Sequence, residues 1–192
     1  LQKFLKYLYL NYKGKRMRKI TRICVIFLSC IILPGIIGGL TNLINSIVSP
    51  DYFIKIMHWE NVKNIIQAAI AQGIYQGIIQ GMFFSLVFSC VYIISNKAEL
   101  AVVSSIKWIL FMGLITIAVW VLGGIIAMLL SVLSPEFYKK TFIGVLDEFG
   151  AMIRYAWVGG SIWGVSFGGI LIMIIGTIMF RNNYKLLKDK KY

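Results

Sequence analysis

At 192 residues, 59% hydrophobic and with a mean hydropathy of +0.81, the chain carries more apolar surface than one soluble core needs, which excludes an ordinary soluble domain. The net charge of +13 would suit a nucleic-acid binder, but the basic residues stand in the gaps between long uncharged stretches and form no continuous basic face. Three cysteines, Cys24, Cys30 and Cys90, all within apolar stretches, read as packing residues and exclude a disulfide framework.

In chain order, residues 1–20 form a basic cytoplasmic tail in which Phe4, Leu5, Leu8 and Leu10 stand among the cations. The first residue is Leu1, and Met17 is an alternative start. From there Met17-Arg18-Lys19 and an apolar run imitate a signal peptide. The run continues well past Cys30 and has an internal counterpart later in the chain, so it reads as a retained span. Uncharged stretches of 28 residues (Arg22 to Asp51), 33 (Lys63 to Lys97), 28 (Lys107 to Glu136) and 26 (Arg154 to Arg181) follow one another. About 20 apolar residues cross a bilayer as a helix. The predicted spans are 21–47, 69–95, 107–133 and 156–180, with a cytoplasmic loop at 97–106 and a basic cytoplasmic tail at 182–192. Tyr52, Phe53, Trp59, Tyr92, Trp108, Phe137, Tyr138, Tyr155, Trp157 and Phe180 cluster near the span ends, where aromatic rings favour the interface. Fifteen Lys and Arg lie in the two tails and the middle loop or flank them (Arg22, Lys107 and Arg181), against five in the other two loops. The positive-inside rule then places both termini in the cytoplasm, and the chain is expected in the cell membrane as a multi-pass protein.

The chain also repeats itself. At an offset of 85, Gly38-Gly39, Ser46 and Ser49-Pro50 match Gly123-Gly124, Ser131 and Ser134-Pro135. At an offset of 87, Gly73, Gly77 and Gly81 match Gly160, Gly164 and Gly168. The expected fold is therefore an all-α integral membrane protein of two tandem helical hairpins, 21–96 and 107–181. The two halves point the same way and are related by an axis along the membrane normal. Each Ser-Pro-acid junction predicts a new short helix, with Ser at the N-cap, Pro at the first position and the acid at the positive end. Residues 136–152, with Tyr138, Phe142, Val145, Phe149 and Met152 at spacings of three and four, predict an amphipathic helix on the outer surface; 51–66 predict a weaker copy. Asp147, Glu148 and Arg154 gather charge near the outer mouth of the fourth span, where they either bind a cation or polar solute or, as expected, flank the end of the 136–152 helix at Gly150.

Small residues recur every four positions: Gly73, Gly77, Gly81 and Ser85 in the second span, and Gly160, Gly164 and Gly168 in the fourth. Such ridges let helix backbones approach closely. Beside the first ridge run Gln72, Gln76 and Gln80, whose counterparts are Gly159, Trp163 and Phe167. Glutamines in hydrocarbon need partners, either as hydrogen-bond glue between helices or as the wet wall of a solute path. The spans contain no charged residue of the kind that proton- or ion-coupled pumps use. Gly164-Val165-Ser166-Phe167-Gly168 fits a nucleophile pattern, but that motif works at a strand-to-helix turn, and the single histidine, His58, falls in a loop. His58 and Glu60 are too few for a metal site.

The residues thus lead to a non-enzymatic scaffold, assembly or accessory subunit of a membrane complex, with a small-solute channel or transporter lined by Gln72, Gln76 and Gln80 as the alternative. No cofactor and no metal are expected. The expected partners are the lipid bilayer and other membrane helices in a homo- or hetero-oligomer, with no nucleic acid. Reporter fusions test the orientation: those after Tyr192 and within 97–106 should score cytoplasmic, and those beside Lys55 and Lys140 external. An external C-terminus would overturn the four-span topology.

Overall fold

A computed structural model describes residues 19–96 and 102–189. Its elements are α1 (Lys19–Val48), α2 (Pro50–Met57), α3 (Ile65–Asn96), α4 (Val102–Leu133), α5 (Pro135–Thr141), α6 (Phe149–Trp163), a π-helical turn (Gly164–Gly168) and α7 (Gly169–Asp189). The described residues are all-helical, with no strand. Four helices are long and apolar enough to cross a membrane: α1, α3, α4, and α6 through α7 as one rod interrupted by the π turn. The protein is a multi-pass membrane protein. The basic tails before Lys19 and after Asp189, with Lys97 of the middle loop, lie outside the described residues.

The spans run longer than their apolar cores. The second starts at Ile65, because Asn64 accepts the Gln67 N–H at 3.1 Å and caps it early. The third starts at Val102, so the 97–106 loop loses its second half to helix. The continuous helix expected over 136–152 is broken in two. Phe142 leaves α5 in an extended conformation, and Gly144 takes a left-handed φ of 73°. Glu148 then starts α6, its carboxylate accepting the N–H groups of Gly150 at 3.0 Å and Ala151 at 2.8 Å. Gly150 therefore opens a helix and does not end one. The helix expected over 51–66 likewise stops at Met57, with His58 in the left-handed region as its C-cap. Ser49 and Ser134 hold the N-cap positions before Pro50 and Pro135, but neither hydroxyl bonds a helix N–H.

The spans pack as two pairs. α1 lies along α3, and α4 lies along α6 and the π turn. Within each pair the contact is backbone on backbone. A Cβ added at Gly77 would strike the Pro34 carbonyl oxygen, and one at Gly73 the Gly38 carbonyl oxygen. Pro34 has no N–H to return to Cys30 within α1, and a Cβ at Gly81 would lie 2.7 Å from that Cys30 oxygen. In the second pair a Cβ at Gly160 would strike Ala127 and the Gly123 oxygen, and one at Gly164 would lie 2.7 Å from the Val119 oxygen. The pairs join through α1 on α4, α3 on α7, and α1 on α6. Among the described residues α3 approaches α7 but not α6.

Two apolar clusters close the bundle. At the end where α1 begins and α7 ends, Ile26, Phe84, Phe88, Ile106, Met112 and Phe180 pack together, and Trp108 donates to the Gly176 carbonyl at 2.9 Å. At the end carrying α2 and α5, the loop end, Tyr52, Phe53, Tyr155 and Val158 form the second cluster, and Tyr155 donates to the Ile143 carbonyl at 2.6 Å. Burial raises the Tyr52 phenol, and burial together with the neighbouring Tyr52 pushes Tyr138 up to about 12.

Gly77→Ala should therefore destabilise the protein by about 1–3 kcal/mol, the usual cost of overpacking. Gly169→Ala, whose Cβ would meet nothing nearer than a Thr116 methyl at 3.8 Å, should not. Thermal unfolding of the two variants in detergent separates them, and equal midpoints would remove the close approach.

Candidate functional site

Between the two apolar clusters, midway along the spans, the helix pairs leave a cavity. It offers about 60 Å³ to water-sized molecules, room for several waters at roughly 10–15 Å³ each. Its polar lining comes from Thr41, Asn42 and Asn45 of α1, Gln76 and Gln80 of α3, Thr116 and Trp120 of α4, and Ser166 of the π turn. No Asp, Glu, Lys, Arg or His lines it among the described residues.

Two helix irregularities shape this space. Pro34 lines it from α1, and Val165 and Ser166 line it from the π turn of the fourth span. π turns inside α-helices recur at functional sites because they redirect side chains and loosen the hydrogen-bond ladder. Here the turn carries Ser166 onto the cavity wall, while Trp163 and Phe167 stack outward with ring centroids 5.1 Å apart.

The hydrogen-bond inventory of the wall is incomplete. Asn42 donates to the Ala69 carbonyl at 3.1 Å, tying α1 to α3. Asn45 accepts from the Ser161 hydroxyl at 3.0 Å, tying the first pair to the second. The Asn45 side chain is 0% exposed, and its Nδ2 has no partner. Turning the amide over would merely leave the oxygen unpaired in its place. Trp120 is 7% exposed, and its Nε1 is also without a partner. A buried unpaired polar group costs about 1–3 kcal/mol; Trp120 leaves an N–H donor without a partner, and Asn45 leaves one end of its amide without one.

The glutamines divide. Gln76 is exposed and Gln80 half-buried, both on the cavity wall, and no hydrogen bond joins either to another described residue. Gln72 is turned away from the cavity; its amide nitrogen lies 3.4 Å from the Met57 sulfur and its Oε1 is buried and unpaired. Gly73 and Gly77 line the cavity where α3 meets α1. Gly81 and Ser85 are buried further along α3, and the Ser85 hydroxyl bonds back to the Met82 carbonyl at 2.7 Å. Gly160 and Gly164 lie against α4, while Gly168, displaced by the π turn, would put its Cβ into the Val119 side chain.

Asn42, Asn45 and Trp120 were not among the residues singled out by sequence. Two asparagines three positions apart inside an uncharged span carry the same signal as the glutamines; Trp120, in an apolar run, carries none. Among the described residues no His, Lys, Asp or Glu shares the cavity wall with Ser166. His58, the single histidine, sits exposed at the loop end, 4.0 Å from Glu60. Lys139 with Asp147, at 3.4 Å, and Arg154 with Glu148, at 3.7 Å, form ion pairs there as well. No protein-family model, curated protein or solved structure matches the chain.

The Asn45–Ser161 bond spans the two helix pairs in a dry setting. A double-mutant cycle of Asn45→Leu with Ser161→Ala, read by unfolding in micelles, should give a coupling near the ~0.6 kcal/mol average for such bonds and below about 1.7. Zero coupling would mean that the bond does not form.

Proposed function

We propose that this chain is a non-enzymatic channel or transporter for a small uncharged polar solute, with the central cavity as its binding site. One observation carries the reading. Gln76, Gln80, Asn42 and Asn45 converge with Trp120 on one cavity, and its wall keeps unpaired polar groups away from water. As glue the glutamines would bond neighbouring helices, and Gln76 and Gln80 do not. The small-residue ridges, the main support for a scaffold, lie against helices of the same chain and leave no ridge free for a partner. The uncharged wall favours a neutral solute, because a bare charge there would lose its hydration without a counter-charge.

The architecture proposed with it is a tandem repeat of two hairpins with both termini cytoplasmic, in the cell membrane. Its support is that contacts recur at the offsets of 85 and 87. Gly38 meets Gly73 as Gly123 meets Gly160, Gly77 meets the Pro34 carbonyl as Gly164 meets that of Val119, and Asn42 meets Gly73 as Ala127 meets Gly160. Parallel repeats with a midplane site at interrupted helices are a transporter pattern. Here the cavity is one-sided. Asn42, Asn45, Gln76 and Gln80 of the first hairpin have Ala127, Leu130, Trp163 and Phe167 as counterparts.

The test is thiol accessibility in vesicles. Cys24, Cys30 and Cys90 are replaced, and Gln76→Cys or Gln80→Cys is offered to a membrane-impermeant thiol reagent. Both should label, whereas Ile126→Cys, exposed on the bundle surface, should not. Absence of labelling at 76 and 80 would make the stripe dry and return the protein to the packing-subunit reading.

A further inference from the structure

The cavity does not end at its polar wall. A second space, about 420 Å³, lies between α3 and α7, lined by Ile79, Gln80, Phe83, Phe84, Val87, Ile170, Met173 and Ile174. Gln80, Phe84 and Met173 line both spaces, so the two adjoin. The groove wall is apolar apart from Gln80, and Phe83, Val87, Ile170 and Ile174 are exposed on the bundle surface. The seam above it is open, because α3 approaches α7 but not α6, and Gln76 is exposed in that gap.

The order of chemistry along the seam is directional. Counting from the loop end, α3 presents Gln76 and Gln80 first and then Phe83, Phe84 and Val87. Gln76 to Gln80 covers about 6 Å of rise and Gln80 to Val87 about 10 Å. Polar groups at mid-depth, followed by an apolar groove that runs on toward the end where α1 begins, match an amphiphile whose head is held at mid-depth and whose chain lies along the groove. The buried Trp120 Nε1 needs an oxygen acceptor, and the half-paired Asn45 amide needs a second partner. The absence of charge on the wall, among the described residues, disfavours a phosphate or carboxylate head.

We propose that the cavity and groove together bind a single-chain amphiphile, with an uncharged hydroxyl- or ester-bearing head against Asn45, Trp120 and Gln76 and its acyl chain in the groove between α3 and α7. The amphiphile enters sideways from the bilayer, through the seam between α3 and α6. This rests on the cavity being a binding site, as proposed above, and replaces a freely water-soluble solute with a membrane-borne one. A monoacylglycerol has the required chemistry: an ester carbonyl and two hydroxyls on one chain.

The experiment uses the full chain in phosphatidylcholine vesicles containing monomyristoylglycerol with a diazirine in mid-chain. Irradiation should place adducts on Phe83, Val87, Ile170 and Ile174. Labelling should saturate, and excess unlabelled monoacylglycerol, but not excess phosphatidylcholine, should compete. Trp120→Phe keeps the ring and removes the donor; it should weaken binding about fivefold, the weight of one net hydrogen bond. Ile174→Trp fills the groove without touching the polar wall and should abolish the adducts. Even labelling over exposed Leu114, Leu122 and Ile126 would mean ordinary boundary lipid and overturn the proposal. So would groove labelling unchanged in both variants. Efficient disulfide formation between two copies through Phe83→Cys, with no groove adducts, would assign the groove to a second copy and also overturn it. If Gln76→Cys and Gln80→Cys label from water while no groove adduct forms, the solute path stands and only the amphiphile falls. If neither occurs, both readings fall.

Discussion

Where two helices meet in hydrocarbon, the water-driven term that holds soluble bundles together is missing, and short-range contact takes its place. In this chain that contact is backbone against backbone. Gly73 and Gly77 lie against the carbonyls of Gly38 and Pro34, and Gly160 and Gly164 against those of Gly123 and Val119. No side chain larger than hydrogen fits at these points, so each pair of spans is held at one distance and one register. The rest follows from this constraint. The two tight pairs do not pack as tightly on each other, and a cavity lies between them at mid-depth.

What fills that region is chemically lopsided. The first pair supplies four amide side chains, and the second supplies Trp120, Thr116 and Ser166. Apolar side chains there would have closed the gap at little cost. Asn45 and Trp120 instead keep one polar atom each in a dry place without a partner. Pro34 and the π turn sit on either side of the same space, so the wall is built from the two places where the helical ladders of the first and fourth spans are disturbed. Strength in the pairs and weakness between them is the division that the proposed binding site rests on.

The exposed apolar surface has a plain origin by comparison. Leu28, Ile32, Ile36 and Leu40 recur along the outer face of α1, and Leu114, Ile117 and Ile125 along α4. These faces need no protein partner, because lipid solvates them as well as another helix would. The seam between α3 and α7 differs only because it adjoins polar groups.

The sequence by itself determined the class and the number of spans, because hydrocarbon tolerates no unpaired backbone and few charges; an uncharged run of 26 to 33 residues has hardly any fold available but a spanning helix. It also marked the glycine ridges and the glutamine stripe, since a four-residue period places side chains on one face of a helix wherever that helix sits. It could not say what those faces meet. Gln72 and Gln76 share a stripe, yet one turns toward Met57 and the other lines the cavity, a division made where α2 folds back against α3. The break at Phe142 and the start at Glu148 escaped periodicity, because a positive φ at Gly144 and a carboxylate cap outweigh an unbroken apolar pattern. Trp120 was invisible as a polar residue in an apolar run. Only the tertiary structure decided that its indole N–H would be buried beside Asn45's cavity without an acceptor, because whether a donor finds a partner depends on atoms far away in the chain.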